Sequence, residues 1–267
     1  MNTFVRSILT KAVPGRLKQF ARDVIGSRFQ PYTVNIDIEG TSFVFLFADE
    51  VARDWYSGID HLSPELKFLK GMVEPEKVIL DVGAHHGFIS LLLAKWGGEV
   101  VAFEASPYNS NVLQKEVTLN EMNNITVENK AVGLVEGRIT ISGGSNVRAV
   151  QTKWDAVDEV EMISIDKYCE MRSISPDLIK IDVEGFEVEV LKGAQGILEQ
   201  EKPKLAIEVH LSLLKNYGHE VADVLDLIDA RFYDLWLQYD GGTDPQPYSG
   251  GHIEGTWQVH LYAFPKS

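Results

Sequence analysis

From Val78 onward, apolar runs short enough for strands alternate with longer amphipathic runs, and this alternation restricts the fold more than any other feature of the chain. Strands are predicted at residues 78–82, 99–104, 125–130, 178–182 and 204–209, and helices at 87–96, 107–120, 186–199 and 219–230. A helix between two strands returns the chain across the sheet, so successive strands run parallel and helices cover both faces. Gly97-Gly98 ends the first helix, and short strands at 137–142 and 160–165 interrupt the pattern. Residues 232–239 and 256–264 have only the loop DGGTDPQPYSGGHIEG between them and no helical segment, so they are expected to pair antiparallel. The fold class implied is α/β, a mostly parallel twisted sheet with an antiparallel C-terminal strand pair.

Ahead of the alternation, residues 32–38 and 42–47 flank Glu39-Gly40 and read as a β-hairpin, expected with the 240–255 loop to cover one end of the site. Ser63 and Pro64 supply the N-cap and first residue of a short helix over 64–73. Further back, Phe4, Val5, Ile8, Leu9, Val13, Leu17, Phe20, Val24 and Ile25 recur at helical spacing, broken at Pro14-Gly15. Residues 1–30 carry six basic side chains against Asp23, a net +5, which leaves −19 on the remainder. A basic amphipathic stretch suits a peripheral membrane or partner-binding helix; the reading favoured here is a helix packed on its own domain or on a second subunit. The organisation expected is an extension over 1–74 and one domain over 75–267.

Composition narrows the function classes. A net charge of −14 argues against general nucleic-acid binding, which needs a basic surface to neutralise phosphates. The single cysteine, Cys169, allows no intrachain disulfide and no thiolate zinc site. No apolar stretch approaches the roughly 20 residues that span a bilayer, and the N-terminus lacks a secretory pattern. A cytoplasmic protein, with a homo-oligomer possible, is the expectation.

The turn DVGAHHG, residues 81–87, joins the first strand of the alternation to its helix. Gly83 and Gly87 let the backbone approach a ligand closely, next to the free N–H groups of a helix start. A dinucleotide turn has the spacing G-x-G-x-x-G and receives a pyrophosphate. The middle glycine is missing here, and the Asp81 carboxylate would repel phosphate but hold an ammonium group. Glu104, at the end of the next strand, stands where an acid accepts hydrogen bonds from both ribose hydroxyls of an adenosine. Ribose and amine together point to S-adenosylmethionine rather than to a nicotinamide cofactor.

VILDVGAHHGFISLLLA, VVAFEASPYNSNVLQKEVTLN, ENKAVG and, above all, DLIKIDVEGFEVEVLKGAQGIL followed by KPKLAIEVH resemble the FkbM family of S-adenosylmethionine-dependent methyltransferases, over roughly residues 75 to 210. The resemblance implies a Rossmann-like class I methyltransferase fold. It places Asp81 and Gly83 at the methionine end of the cofactor and Glu104 at the ribose, with Gly87 of the same turn a further candidate for cofactor binding. It sets Ala105 and the segment Asn129 to Val132, with Ala131, beside the adenine. His85-His86 departs from the family's frequent Asn-Ile; either histidine could face the ligand, and loop packing or solvent exposure is the expected role.

Ligands bind at the carboxyl ends of strands in open α/β sheets, which singles out Asp182, Glu184, Glu208 and His210. Methyl transfer to a hydroxyl needs alignment and removal of a proton. The expectation is His210 as general base, with Asp182 and Glu184 orienting the acceptor and Glu208 beside them. The same donor types suit Mg²⁺, although no metal is assigned. Tyr217, Tyr239, Tyr248 and Trp257 are candidate stacking surfaces for an acceptor. The function implied is O-methylation of a sugar, glycan or polyketide-type hydroxyl; the rivals are a non-catalytic binding module of the same fold and an NAD-dependent oxidoreductase.

Overall fold

The computed structural model describes residues 29–142, 149, 158–239, 243–253 and 257–266. The basic stretch read over residues 1–30 thus lies almost wholly outside the described residues, as do parts of the 240–255 loop. The hairpin forms as β1 (Tyr32–Ile38) and β2 (Thr41–Phe47), paired antiparallel about Glu39-Gly40. It is followed by α1 (Glu50–Tyr56) and α2 (Pro64–Met72). Asp49 caps α1 by accepting from the Ala52 N–H, and Ser63 caps α2 by accepting from the Leu66 N–H. The short α1 does not stand out in the periodicity, and Asp49 was the signal available for it.

The alternation then builds β3 (Val78–Val82), α3 (Phe88–Lys95), β4 (Glu99–Phe103), α4 (Pro107–Leu119) and β5 (Ile125–Glu128). The strand expected over 125–130 stops at Glu128, and β6 (Ala131–Val132) joins a separate three-stranded sheet with β7 (Gly137–Ile141) and β8 (Asp158–Ile163). The segment read as strand to 165 ends earlier, because Ser164 accepts from the Lys167 N–H and starts α5 (Ile165–Arg172). After β9 (Leu178–Ile181), the single helix expected over 186–199 is two, α6 (Glu187–Lys192) and α7 (Gln195–Gln200). The second starts anew because the Asp166 carboxylate, reaching across from α5, accepts from the Gly196 and Ile197 N–H groups. The chain closes with β10 (Lys204–Val209), α8 (Leu211–Leu214), α9 (Val221–Asp226), β11 (Tyr233–Tyr239), β12 (Gln246–Tyr248) and β13 (Val259–Pro265).

Eight strands form the main sheet in the order β12-β11-β13-β10-β9-β3-β4-β5. The five strands from β10 to β5 run parallel, and β13 lies antiparallel between β10 and β11. The sheet is therefore the mostly parallel α/β sheet with an antiparallel C-terminal pair that the alternation predicts, of the Rossmann-like kind that the resemblance implies. Leu80, Val82, Ile179, Ile181, Leu205, Ile207 and Leu261 fill one buried face. Strands covered on both sides read as near-continuous apolar runs.

The hairpin is fastened to α4 through the free edge of β2. Asn120 accepts from the Val44 N–H and donates to the Val44 carbonyl, both at 2.8 Å, and the buried Glu116 carboxylate accepts from the Leu46 N–H at 2.7 Å. Below this edge, Phe43, Phe45 and Phe47 bury against Phe88, Leu91 and Leu92 of α3. Replacing Asn120 by Ala leaves buried edge groups without partners, which costs about 1–3 kcal/mol. Amide exchange is expected to rise first at Val44, and unchanged protection there would show that the packing of the phenylalanines alone holds the hairpin.

Candidate functional site

A large cavity of about 950 Å³ opens at the carboxyl ends of β3, β4, β9 and β10. Two turns form one end of it. Gly83 has φ +85°, and its N–H, with that of Ala84, donates to the Phe103 carbonyl at the end of β4. A Cβ on Gly83 would lie 1.8 Å from the Asp182 carbonyl oxygen, so only glycine lets the β3 turn pass the end of β9. Gly87, φ +95°, starts α3, and a Cβ there would run into the Leu113 side chain. Gly83 lines the cavity, whereas Gly87 faces α4 and does not.

Glu104 stands between these turns, buried but lining the cavity. Its two oxygens accept from the His85 and Ser106 N–H groups, each at 2.8 Å. Burial pushes its carboxyl up to about 7, against the pull of those donors. Asn129 lies outside the cavity lining and donates to the Glu104 and Ala105 carbonyls, which fixes the turn after β4. Ala105 and Ala131 line the cavity beside Glu104. His85, in a left-handed conformation at φ 53°, also lines the cavity. It stacks on the buried His86 and lies 3.1 Å from the Tyr56 hydroxyl. Packing thus accounts for His86, but His85 belongs to the cavity wall.

Asp81 sits where the ammonium-binding carboxylate was expected, yet it is fully buried and does not line the cavity. Its ammonium partner comes from the chain itself: Lys180 Nζ lies 3.3 Å from Asp81 Oδ1 and 3.3 Å from Asp182 Oδ2. Ser90 Oγ donates to the other Asp81 oxygen. Burial works against a charge on Lys180, but Asp81, Asp182 and Glu208 outweigh it and hold the ammonium above its ordinary value. Among the described residues Asp81 thus meets the ammonium of Lys180 behind the cavity wall, not in its lining.

The four groups singled out after β9 and β10 all line the cavity. His210 Nε2 lies 3.9 Å from Asp182 Oδ1 and 3.7 Å from Glu208 Oε1, and its Nδ1 lies 2.9 Å from Glu187 Oε1. Burial disfavours the imidazolium, but the hydrogen bond to Glu187 and the charges of Asp182 and Glu208 raise its pKa to about 9. As the site stands, His210 therefore holds a proton at neutral pH, which conflicts with the free imidazole expected of a general base. Burial raises the Glu208 carboxyl well above its usual range, with Asp182 adding to the effect. Glu184 occupies a left-handed turn position, φ 54°, at the cavity wall.

Of the aromatic candidates, only Trp257 lines the cavity. Tyr217 packs against Phe186, Tyr239 is exposed on β11, and Tyr248 donates to the Gly251 carbonyl. Trp55, Tyr56, His61 and Phe186 line it instead, so one wall comes from α1 and the loop after it rather than from the hairpin. Lys180 and Glu187 were also missed. Lys180 had a signal, as the single charge in the buried strand Leu178–Ile181, two residues before Asp182 on the same face.

A family model described as the methyltransferase FkbM domain matches residues 81–235. No curated protein matches the sequence. The structure is similar to that of the methyltransferase FkbM of Methylobacillus flagellatus, at 24% identity and a TM-score of 0.49 over 75% of this chain and 47% of that one. This chain thus spans about half the length of that protein. It is also similar to a TehB-like SAM-dependent methyltransferase of Corynebacterium glutamicum, at 15% identity and a TM-score of 0.46 over 79% and 95% of the two chains. A third is the magnesium protoporphyrin IX methyltransferase of Synechocystis with bound SAM, at 15% identity and a TM-score of 0.42 over 72% and 71%.

Removing the Lys180 charge strands two carboxylates at the strand ends. Lys180→Met is expected to lower stability by about 3–5 kcal/mol at neutral pH, with part recovered when Asp81→Asn is added. Denaturant unfolding of the two variants checks this, and a double variant no more stable than the single one would show that Asp81 is not the charge Lys180 balances.

Proposed function

The chain belongs to the methyltransferase FkbM family, and from that premise we propose that it is an S-adenosylmethionine-dependent O-methyltransferase acting on a hydroxyl of a sugar, glycan or polyketide-type small molecule. The observation that carries the cofactor is Glu104. It is a buried carboxylate, lining a cavity of about 950 Å³, with its oxygens set by backbone donors. Such a group suits a ribose diol, and Gly83, Ala105 and Ala131 leave room around it for backbone-close contact. When bound, S-adenosylmethionine supplies a methyl group on a sulfonium, open to in-line displacement by an oxygen.

The residues at the ends of β9 and β10 serve the acceptor. Asp182 has a side chain 30% exposed against 4% for His210, so it is the group that an acceptor hydroxyl reaches and to which the hydroxyl proton passes. His210, held through Nδ1 by Glu187, points Nε2 at Asp182 and positions that carboxylate. Glu184 and Glu208 offer further acceptors for hydroxyl groups, which favours an oxygen-rich substrate. Trp55 and Trp257, both partly exposed at the cavity wall, suit the face of a sugar ring. Cys169, buried and unpaired, is compatible with a cytoplasmic setting. Among the described residues no helix is long and apolar enough to cross a membrane.

Calorimetric titration with S-adenosylmethionine, S-adenosylhomocysteine and NAD tests the reading. The first two are expected to saturate, with affinity reduced about 10- to 100-fold in Glu104→Ala; binding of NAD alone, or of nothing, would leave an oxidoreductase or a non-catalytic module. The same titration carries a pH dependence. A diol donates to the ionised carboxyl, and Glu104 titrates near 7 without ligand, so affinity is expected to fall between pH 8 and pH 6. Glu104→Gln should flatten that slope, and a wild-type slope of zero would remove Glu104 from the ribose contact.

A further inference from the structure

A second cavity, of about 20 Å³, lies against the acceptor side of the first and is lined by Glu65, Lys180, Glu208 and His260 together with Leu69 and Tyr262. A space of this size holds one water or one ion. Its polar lining comes from three separate elements. Glu65 is in the first turn of α2, and Glu208 and His260 face each other directly across the β10–β13 pair. One donor atom from each of Glu65, Glu208 and His260 lies within 4.8 Å of the others.

His260 sets this triad apart. It is 9% exposed, and among the described residues its imidazole makes no hydrogen bond; its Nδ1 lies 3.8 Å from Glu65 Oε1. The two carboxylates this imidazole faces, Glu65 beside it and Glu208 across the strand pair, are acceptors that a cation would bring together. Lys180 does not fill that role, because its ammonium is engaged by Asp81 and Asp182, each at 3.3 Å. The neighbouring group of Asp182, Glu208 and His210 meets the same distance criterion. There, however, Glu187 takes one histidine nitrogen and Lys180 already sets a positive charge against Asp182.

We propose that Glu65, Glu208 and His260 bind a divalent transition-metal ion of the Mn²⁺ or Zn²⁺ class at the acceptor end of the cavity. One imidazole nitrogen with two carboxylates suits such ions better than Mg²⁺ or Ca²⁺, which take oxygen ligands. Three protein ligands leave positions open, and all three residues also line the large cavity. The open positions therefore face the acceptor. Resting on the O-methyltransferase reading, this narrows the substrate class to acceptors with two adjacent oxygens, a vicinal diol or a hydroxyl next to a carbonyl.

The test titrates Mn²⁺ into the chelator-treated full chain, followed by electron paramagnetic resonance of the free ion, with S-adenosylhomocysteine binding measured by calorimetry on the same samples. One equivalent of Mn²⁺, displaced by Zn²⁺, is expected to bind, with affinity reduced about tenfold or more in Glu65→Gln and in His260→Gln. Both variants should still take up S-adenosylhomocysteine. Glu65 is partly exposed on a helix surface, so Glu65→Gln keeps the test decisive should His260→Gln fail to fold. Absence of saturable Mn²⁺ and Zn²⁺ binding, or binding that Glu65→Gln leaves unchanged, overturns the metal site. Failure of the adenosyl reading would appear separately, as loss of S-adenosylhomocysteine binding in the wild-type chain.

Discussion

The ammonium of Lys180, buried at the carboxyl ends of three neighbouring strands, is the interaction on which the rest of the site depends. Asp81 is the last but one residue of β3, Lys180 lies within β9, and Asp182 follows that strand, so one positive charge ties the two central strands where the sheet opens into the cavity. Two carboxylates this close in a buried setting would repel each other and push one toward the neutral acid. With Lys180 between them, both remain in place, and Asp182 keeps an oxygen turned toward His210 and the cavity. Burial and the nearby Asp182 drive the Glu208 carboxyl upward even though His210 and Lys180 pull against them.

A steric constraint is superposed on this charge. The β3 turn crosses the end of β9 so closely that the Asp182 carbonyl occupies the place of a side chain at Gly83. Glu104, which accepts from the His85 N–H, and Asp182 both line the cavity. Its wall thus carries two chemically different groups: a carboxylate set by backbone donors, and a cluster of acids with the imidazole of His210. The proposed O-methyl transfer rests on assigning the first to a ribose and the second to a hydroxyl acceptor.

Much of this was legible in the sequence because its signals are local. Strand and helix alternate with different periods, and the glycine spacing and the acids at strand ends lie within a few residues of the motifs that carry them. Asp182, Glu184, Glu208 and His210 were therefore found together before the sheet was known. What stayed hidden is what the sheet brings together from afar. Glu65 and His260 are nearly 200 residues apart in the chain and meet only because β13 inserts antiparallel beside β10. Asp166 divides the helix after β9 by capping it from another element. Lys180 beside Asp81 was hidden for a related reason: a carboxylate at a strand end asks for a cation, but the sequence does not say whether a ligand or a neighbouring strand supplies it.

That ambiguity bears on how the site came to be acidic at one end. A chain of net charge −14 has little need to gather more carboxylates in a cavity unless they meet donors there. Lys180 answers Asp81 and Asp182, and His210 answers Glu187, so the internal pairs account for most of the cluster. Glu208 and the more exposed side chain of Asp182 also line the cavity, where groups that donate hydrogen bonds or carry positive charge suit them. The acids paired within the fold hold the strands in register at their ends, and those turned outward set what the cavity can receive.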